Sequence, residues 1–354
     1  MSILLGFSVY LSSPITEKVQ ARIERFAKSG FTGVFTSLNL PEDDPAVLLD
    51  RLAALGQQCQ SLNLELTVDI STRAQKRTGL NLTQPEKIAE LGVARLRMDE
   101  GISMKEIADL SQSIGIALNA STLSDEDVQT LQADQANFAN IEAWHNYYPR
   151  KNTGLGEEWF QERNIWLHEH GIQVTAFVPG DRGLRGPVYA GLPSLESARY
   201  QHPLAAALDL QQLDVDQIDI GDQNLLQDTL AQFDAYFDHS VLLLHLLTNS
   251  TLPKYMQDGN LYLHQRPDVA RDVVRLVEGR ALNQETIEPA NILPRKRGAV
   301  TLDNKLALRY QGELEIVKRD LPADPTVNVL GYIQANELDL LEHCGPGQAI
   351  QLVF

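Results

Sequence analysis

Between residue 3 and about residue 235 the chain passes eight times from a short β-like run to a segment of helical character. The runs are Ile3–Tyr10, Gly33–Leu38, Leu64–Ile70, Val93–Met98, Ile114–Asn119, Asn137–His145, Ile172–Val178 and Gln217–Ile220. The segments between them carry helix punctuation. Glu17–Ser29 is amphipathic and ends at Gly30, and Pro45 suits the first turn of a helix over Asp44–Ser61. Pro85–Leu91 stops at Gly92, and Glu157–His170 stops at Gly171. Ser103–Gln112 and Ser124–Ala133 complete the set, the latter opened by Ser124 three residues before Asp127, a weak capping box. Leu195–Tyr200 and Pro203–Leu210 read as helical pieces before the last strand. Strand-then-helix units at this spacing build parallel sheets, and eight of them match a closed (β/α)8 TIM-type barrel better than an open doubly wound sheet, which usually stops at five or six strands. The runs read as nearly continuous apolar stretches, the pattern of strands buried on both faces.

After about residue 240 the pattern changes and Pro, Gly and Asn become frequent. Asp268–Leu276 reads as a helical piece, and Gly298–Leu302, Leu306–Tyr310, Leu314–Lys318, Asn328–Ile333 and Ile350–Phe354 read as strands. The expected organisation is a catalytic barrel over residues 1–238 and a smaller β-rich domain over 239–354. A length of 354 residues fits one barrel of about 250 residues plus one small domain.

The totals exclude several classes of function. A net charge of -17 argues against nucleic acid, whose binding needs clustered Lys and Arg to neutralise phosphates. It does not argue against a small anionic ligand held by a few arginines. The two cysteines, Cys59 and Cys344, lie in different expected domains, and no CxxC metal spacing occurs. The N-terminal stretch has no basic start followed by a long apolar run, and the longest apolar run, Val241–Leu247, is too short to cross a bilayer. A cytoplasmic protein without a membrane partner is expected. A homo-oligomer is compatible with the sequence. No GxGxxG opens a helix and no phosphate-cradling GKS/T loop is present, so no cofactor is expected.

Active sites of β/α barrels lie at the C-terminal ends of the strands. That rule selects Asp69 after the third strand, Asp99 after the fourth, Asn119 after the fifth, and His145, Asn146, Tyr148 and Arg150 after the sixth. Asp181 and Arg185 follow the seventh, and Asp222 the eighth. Carboxylates at so many strand ends suit acid–base chemistry on a polar ligand, although each alone could cap a helix or tighten a loop. His145 is the single strand-end histidine, and His168 and His170 are two apart on a helix, so no metal site is expected. No GxSxG occurs, which weakens serine nucleophilic catalysis. The scarce basic residues cluster at Arg150-Lys151, Arg182 with Arg185, and Arg295-Lys296-Arg297. Guanidinium forks there would hold a phosphate or carboxylate, or pair with the abundant acids.

These loops also carry a recognisable pattern. Trp144–Arg150 (WHNYYPR) with Thr153–Gly156 (TGLG), Phe177–Asp181 (FVPGD), and Arg185–Arg199 (RGPVYAGLPSLESAR) resemble the bacterial 6-phospho-N-acetylmuramidases, the MupG-like family. Phe35–Leu38, Arg95–Gly101, Leu118–Ser121, Ile220–Asp222, Arg266–Arg275 and Arg295–Asn304 fit the same family, so the likeness spans essentially the whole chain. Two places depart from it: Asp69–Thr72 reads DIST where DVSP is frequent, and Trp144 stands where a small residue or Cys is common. The resemblance implies a barrel with a cyclophilin-like C-terminal domain. It implies hydrolysis of the disaccharide 6-phospho-N-acetylmuramyl-N-acetylglucosamine in peptidoglycan recycling. On that reading the catalytic pair comes from Asp99, Asp181 and Asp222, with Asp69 in reserve. Asn119, His145, Asn146 and Tyr148 position the sugar, and Arg150, Arg185 and Arg297 hold its anionic groups. A non-catalytic phosphosugar-binding protein and a different barrel enzyme acting on phosphosugars are the alternatives.

Overall fold

The computed structural model describes residues 3–40, 43–248 and 252–354. The chain divides into two compact units, Met1–Leu226 and Gln227–Phe354. In the first, β1 (Leu4–Ser8), β2 (Gly33–Ser37), β3 (Glu65–Ile70), β4 (Val93–Met98), β5 (Gly115–Asn119), β6 (Ile141–Trp144), β7 (Gln173–Val178) and β8 (Gln217–Ile220) form a closed parallel barrel. Pairing of β8 with β1 closes it, with Gly6 opposite Asp219. The helices between are α1 (Glu17–Lys28), α2 (Pro45–Ser61), α3 (Thr72–Thr78), α4 (Pro85–Glu90), α5 (Met104–Leu110), α6 (Asp125–Ala133), α7 (Glu157–Glu169) and α8 (Pro203–Gln212). The caps follow the sequence: Asp44 accepts from the Ala46 amide ahead of Pro45, and Ser124 and Asp127 form a reciprocal capping box. The sixth strand is shorter than expected, because a 3-10 turn occupies Phe138–Asn140.

The strands do not read as uniformly apolar once the two faces are separated. Phe35, Trp144 and Phe177, from β2, β6 and β7, touch one another, which strands that far apart around a barrel can do only through its interior. Strand periodicity of two then places Gly33, Ser37, Glu142 and Thr175 inside with them. Register adds Asp69, Arg97, Gln217 and Asp219 to that inner set. The alternate residues, such as Leu66, Val68, Leu96, Ile116, Val174 and Ile218, are buried against the helices. The interior is therefore aromatic at its middle and polar above and below. Gly6 is required by this filling, since a Cβ there would lie 2.1 Å from Asp219 Oδ1.

The second unit opens with α9 (Gln227–His239), which packs on β9 (Val241–Leu247) and donates from Gln232 to the Leu243 carbonyl at 2.9 Å. Its other elements are β10 (Asn260–His264), β11 (Val273–Leu276), the one-turn α10 (Gly279–Leu282), β12 (Ala299–Asp303), β13 (Leu314–Val317), β14 (Val327–Ile333) and β15 (Ala349–Val353). The sheet order is β10-β15-β9-β14-β12-β13-β11, with β15 and β9 parallel and the remaining pairs antiparallel. Two sequence expectations are corrected here. The helix expected over Asp268–Leu276 is a loop leading into strand β11, where Val274 and Leu276 alternate inward against β13. The strand expected over Leu306–Tyr310 is 3-10 structure over Lys305–Tyr310, broken at Leu308, whose φ is 56°. Its apolar side chains are largely exposed, so no sheet face recruits them. Cys59 and Cys344 are buried free thiols, and no helix of the described residues is long and apolar enough to cross a membrane.

Candidate active site

At the C-terminal mouth of the barrel three donors converge on Asp69 at the end of β3. Ser37 Oγ donates at 2.7 Å, Asn39 Nδ2 at 2.8 Å and Arg97 Nη1 at 2.8 Å. Arg97 also donates to Asn146 Oδ1, linking β4 to the segment after β6. Asn39 is itself held by Ser71 Oγ, which donates to its Oδ1 at 2.6 Å. This orients the amide so that Nδ2 also reaches Asp99 Oδ2 at 3.5 Å. Asp69 and Asp99 are thus two carboxylates within reach of one amide nitrogen.

Asp99 differs from its partner in being half-exposed. Partial burial raises its carboxyl above the usual range, and the neighbouring charge of Asp69 raises it further; Arg97 opposes both. Two cavities meet at Asp99. One of about 370 Å³ runs toward β5 and includes Asn119 and Asn146. The other, of about 400 Å³, runs toward α3 and includes Asn39 and Arg73.

The opposite side of the mouth carries Arg185. Its guanidinium lies over the Tyr10 ring, 3.9 Å from the centroid, and Nη1 is 3.4 Å from the Tyr147 hydroxyl. Tyr10 donates to the Gly221 carbonyl at 2.7 Å. Burial raises both phenols, so they remain neutral donors. The Arg185 backbone is placed by Asp222, whose carboxylate accepts from the amides of Arg185 at 2.9 Å and of Gly180 and Leu192 at 3.0 Å. Gly180 is needed for that approach, because a Cβ would sit 2.8 Å from Asp222 Cβ.

The structure separates the remaining sequence candidates. Asp222 is buried with its oxygens turned to backbone donors, and Asp181 accepts from the Leu226 amide at 2.6 Å, so both hold loops. His145 faces outward from the barrel: it is buried against Phe160 and α7, and its Nε2 is 2.7 Å from Asn164 Oδ1. Burial drives it down to about 4, and it stays neutral. Asn119 lines the β5-side cavity, with its Oδ1 accepting from the Ser121 amide at 3.0 Å. Tyr148 is half-buried, and its amide donates to the Pro193 carbonyl at 2.9 Å. Arg150 is exposed, and its carbonyl is bound by Thr153 and Arg199. Arg297, in the second unit, donates to the Leu338 carbonyl at 3.1 Å and to Glu342 at 3.2 Å. Among the described residues no three His, Cys, Asp or Glu side chains are grouped to hold a metal.

Two residues central to the mouth were not among the sequence candidates, Arg97 and Tyr147, whereas Asn39 follows the second strand and is selected by the same strand-end rule. Arg97 was legible in the alternation Arg95-Arg97-Asp99 along one strand, an inward row of charges that a purely apolar reading of β4 hides.

The family model for the N-terminal part of 6-phospho-N-acetylmuramidase matches residues 5–235, and the C-terminal one matches residues 244–353. A solved structure of a conserved Enterococcus faecalis protein of unknown function is 40% identical, with a TM-score of 0.89 over 99% of this chain and 96% of that one. An uncharacterised B. cereus protein is 25% identical, with a TM-score of 0.74 over 100% of both chains. The comparison with curated proteins found no match. With family models spanning both units and the barrel mouth carrying polar side chains from most of its strands, this chain belongs to the 6-phospho-N-acetylmuramidase family.

Proposed function

We propose that the chain hydrolyses the glycosidic bond of 6-phospho-N-acetylmuramyl-N-acetylglucosamine, releasing 6-phospho-N-acetylmuramic acid and N-acetylglucosamine. The observation that carries this reading is the Asp69–Asn39–Asp99 arrangement at the mouth of a barrel of this family. Glycoside hydrolysis uses two carboxyl groups about 5–9.5 Å apart, one of them kept protonated. Asp99, raised by burial and by Asp69, is the proton donor to the leaving oxygen. Asp69 is the partner carboxylate, fixed by three donors so that its charge faces the developing oxocarbenium ion. Arg185, stacked on Tyr10 and seated by Asp222, receives an anionic group of the substrate. A substrate of this kind arises when peptidoglycan fragments are phosphorylated on uptake, which puts the reaction in the cytoplasm.

The test is incubation of the full chain with the phosphorylated disaccharide and with its unphosphorylated counterpart, products being followed by mass spectrometry. Cleavage of the phosphorylated sugar alone is expected. Cleavage of neither would remove the muramidase reading, and equal cleavage of both would show that the phosphate contributes nothing to recognition, leaving Arg185 only the lactyl carboxylate to bind. Asp99→Asn should lower kcat by about 10²–10⁴-fold, the usual contribution of a general acid, while substrate still binds.

A further inference from the structure

The two cavities that meet at Asp99 share Asp99, Glu100 and Gly101 in their walls, so a ligand of two rings filling both would pass over that carboxyl. They differ in charge. Besides Asp99, the proton donor, the β5-side cavity has Glu100 and Asp127 and no Lys or Arg; the rest of its wall is amide, the Thr122 hydroxyl and apolar surface, including Asn119, Asn146 and Leu118. An anionic sugar there would meet like charge, whereas a neutral acetamido sugar would find hydrogen-bonding amides and apolar surface. The α3-side cavity has two guanidinium groups, Arg73 and Arg77. Arg77 is tied to the carbonyls of Leu40 at 3.1 Å and Asp43 at 2.9 Å, which fixes its charge in place. Arg73 has no hydrogen-bonded or ionic partner among the described residues, although it lies in the wall of a cavity beside two carboxylates.

We infer that these cavities are the two sugar subsites flanking the scissile bond, and that Arg73 is a specificity-determining residue that receives an anionic substituent of the sugar held on the α3 side. The inference rests on the glycosidase reading above. An oxyacid group, phosphate or carboxylate, accepts two parallel hydrogen bonds from one guanidinium. The neutral sugar, the leaving group, then occupies the side of Asn119 and Asn146, with Asp99 between the rings where a proton must be given. A second anionic group of a doubly charged ring would face Arg185 across the mouth.

Binding is measured by calorimetry on the full chain with three probes. These are N-acetylglucosamine 6-phosphate, which has the phosphate alone, N-acetylmuramic acid, which has the carboxylate alone, and neutral N-acetylglucosamine. Arg73→Ala is expected to weaken one of the two anionic probes by about tenfold or more and to leave the neutral sugar and the melting temperature unchanged. Arg73→Lys should restore part of the loss, and the probe affected identifies the anion. Unchanged affinity for both anions, an equal loss for all three sugars, or no binding of either anion to the unaltered protein would overturn the inference. Failure of the unaltered protein to cleave the phosphodisaccharide, with Arg73-dependent anion binding intact, would instead count against the hydrolase reading alone.

Discussion

Two buried side chains set opposite pH trends in the barrel. Asp219 is fully buried with Oδ2 unpartnered, and burial raises its carboxyl to about 7. An unfolded aspartate titrates near 3.9, so between about pH 4 and 7 the folded chain holds a proton that the unfolded chain has lost. Stability from this residue is therefore greatest below pH 4 and declines as the pH rises toward 7, by about 3–4 kcal/mol. Asp219→Asn should flatten that decline, read by urea unfolding at pH 4.5 and 8. His145 works the other way. Held neutral down to about 4, it favours the fold above the unfolded value near 6.5 and costs stability as the pH falls toward 4. At the mouth, Asp99→Asn and Asp69→Asn test different things. Asp69→Asn removes the charge that helps to raise Asp99, so the Asp99 carboxyl should titrate at lower pH in a carbon-13 NMR experiment. An unmoved titration would mean that burial alone accounts for it. Arg185→Ala should cost about 1.5–3 kcal/mol in transition-state binding of the phosphorylated disaccharide, and far less with an uncharged analogue.

Among elements, the segment between β7 and α8 depends most on a single side chain. Asp222 gathers three amides from three points along it, and those hydrogen bonds place Arg185 over Tyr10. Asp222→Ala would leave three N–H groups, two of them buried, without an acceptor. The expected cost is more than about 3 kcal/mol, with weaker phosphosugar binding; Asp222→Asn, which keeps one acceptor oxygen, should cost less. Thermal melts of the two variants check the order. The neighbouring segment after β6 is tied in a similar way. Glu196, brought down to about 2 by its hydrogen bond with Arg199, accepts from the amides of Asn152 and Gly154. The family motifs in these stretches thus hold loops as much as they supply chemistry.

At the scale of the molecule, each unit has a core of its own. In the second, Ala299, Val317 and Val329 form one cluster, and α9, which buries Leu230 and Phe233, packs on β9. A fragment over 227–354 is expected to fold by circular dichroism and to melt cooperatively. One starting at residue 240 loses that helix and should melt well below it, since removing a buried Phe side chain alone costs about 3–5 kcal/mol. Equal melting of the two fragments would show that α9 contributes nothing to the second unit.

The eightfold repeat of strand and helix was legible in the chain because hydrophobic period and Pro or Gly punctuation are local properties, and Gly30, Gly92 and Gly171 mark helix ends wherever the chain goes. Strand-end position likewise brought Asp69, Asp99, Asn119, Asn146 and Arg185 into consideration. Local pattern failed at Asp268–Leu276 and Leu306–Tyr310, where sheet pairing, not propensity, decides the state of the backbone. It also could not tell a carboxylate that faces a cavity from one that faces three amides. Asp99 and Asp222 both follow a barrel strand, yet the donors around Asp222 come from positions 180, 185 and 192, far along the chain. The direction of His145, outward onto α7, was open for the same reason. The residue types and their strand ends were set by the sequence alone; which of them share a cavity was decided by barrel closure, because only that brings β3, β4 and the segment after β6 to one mouth.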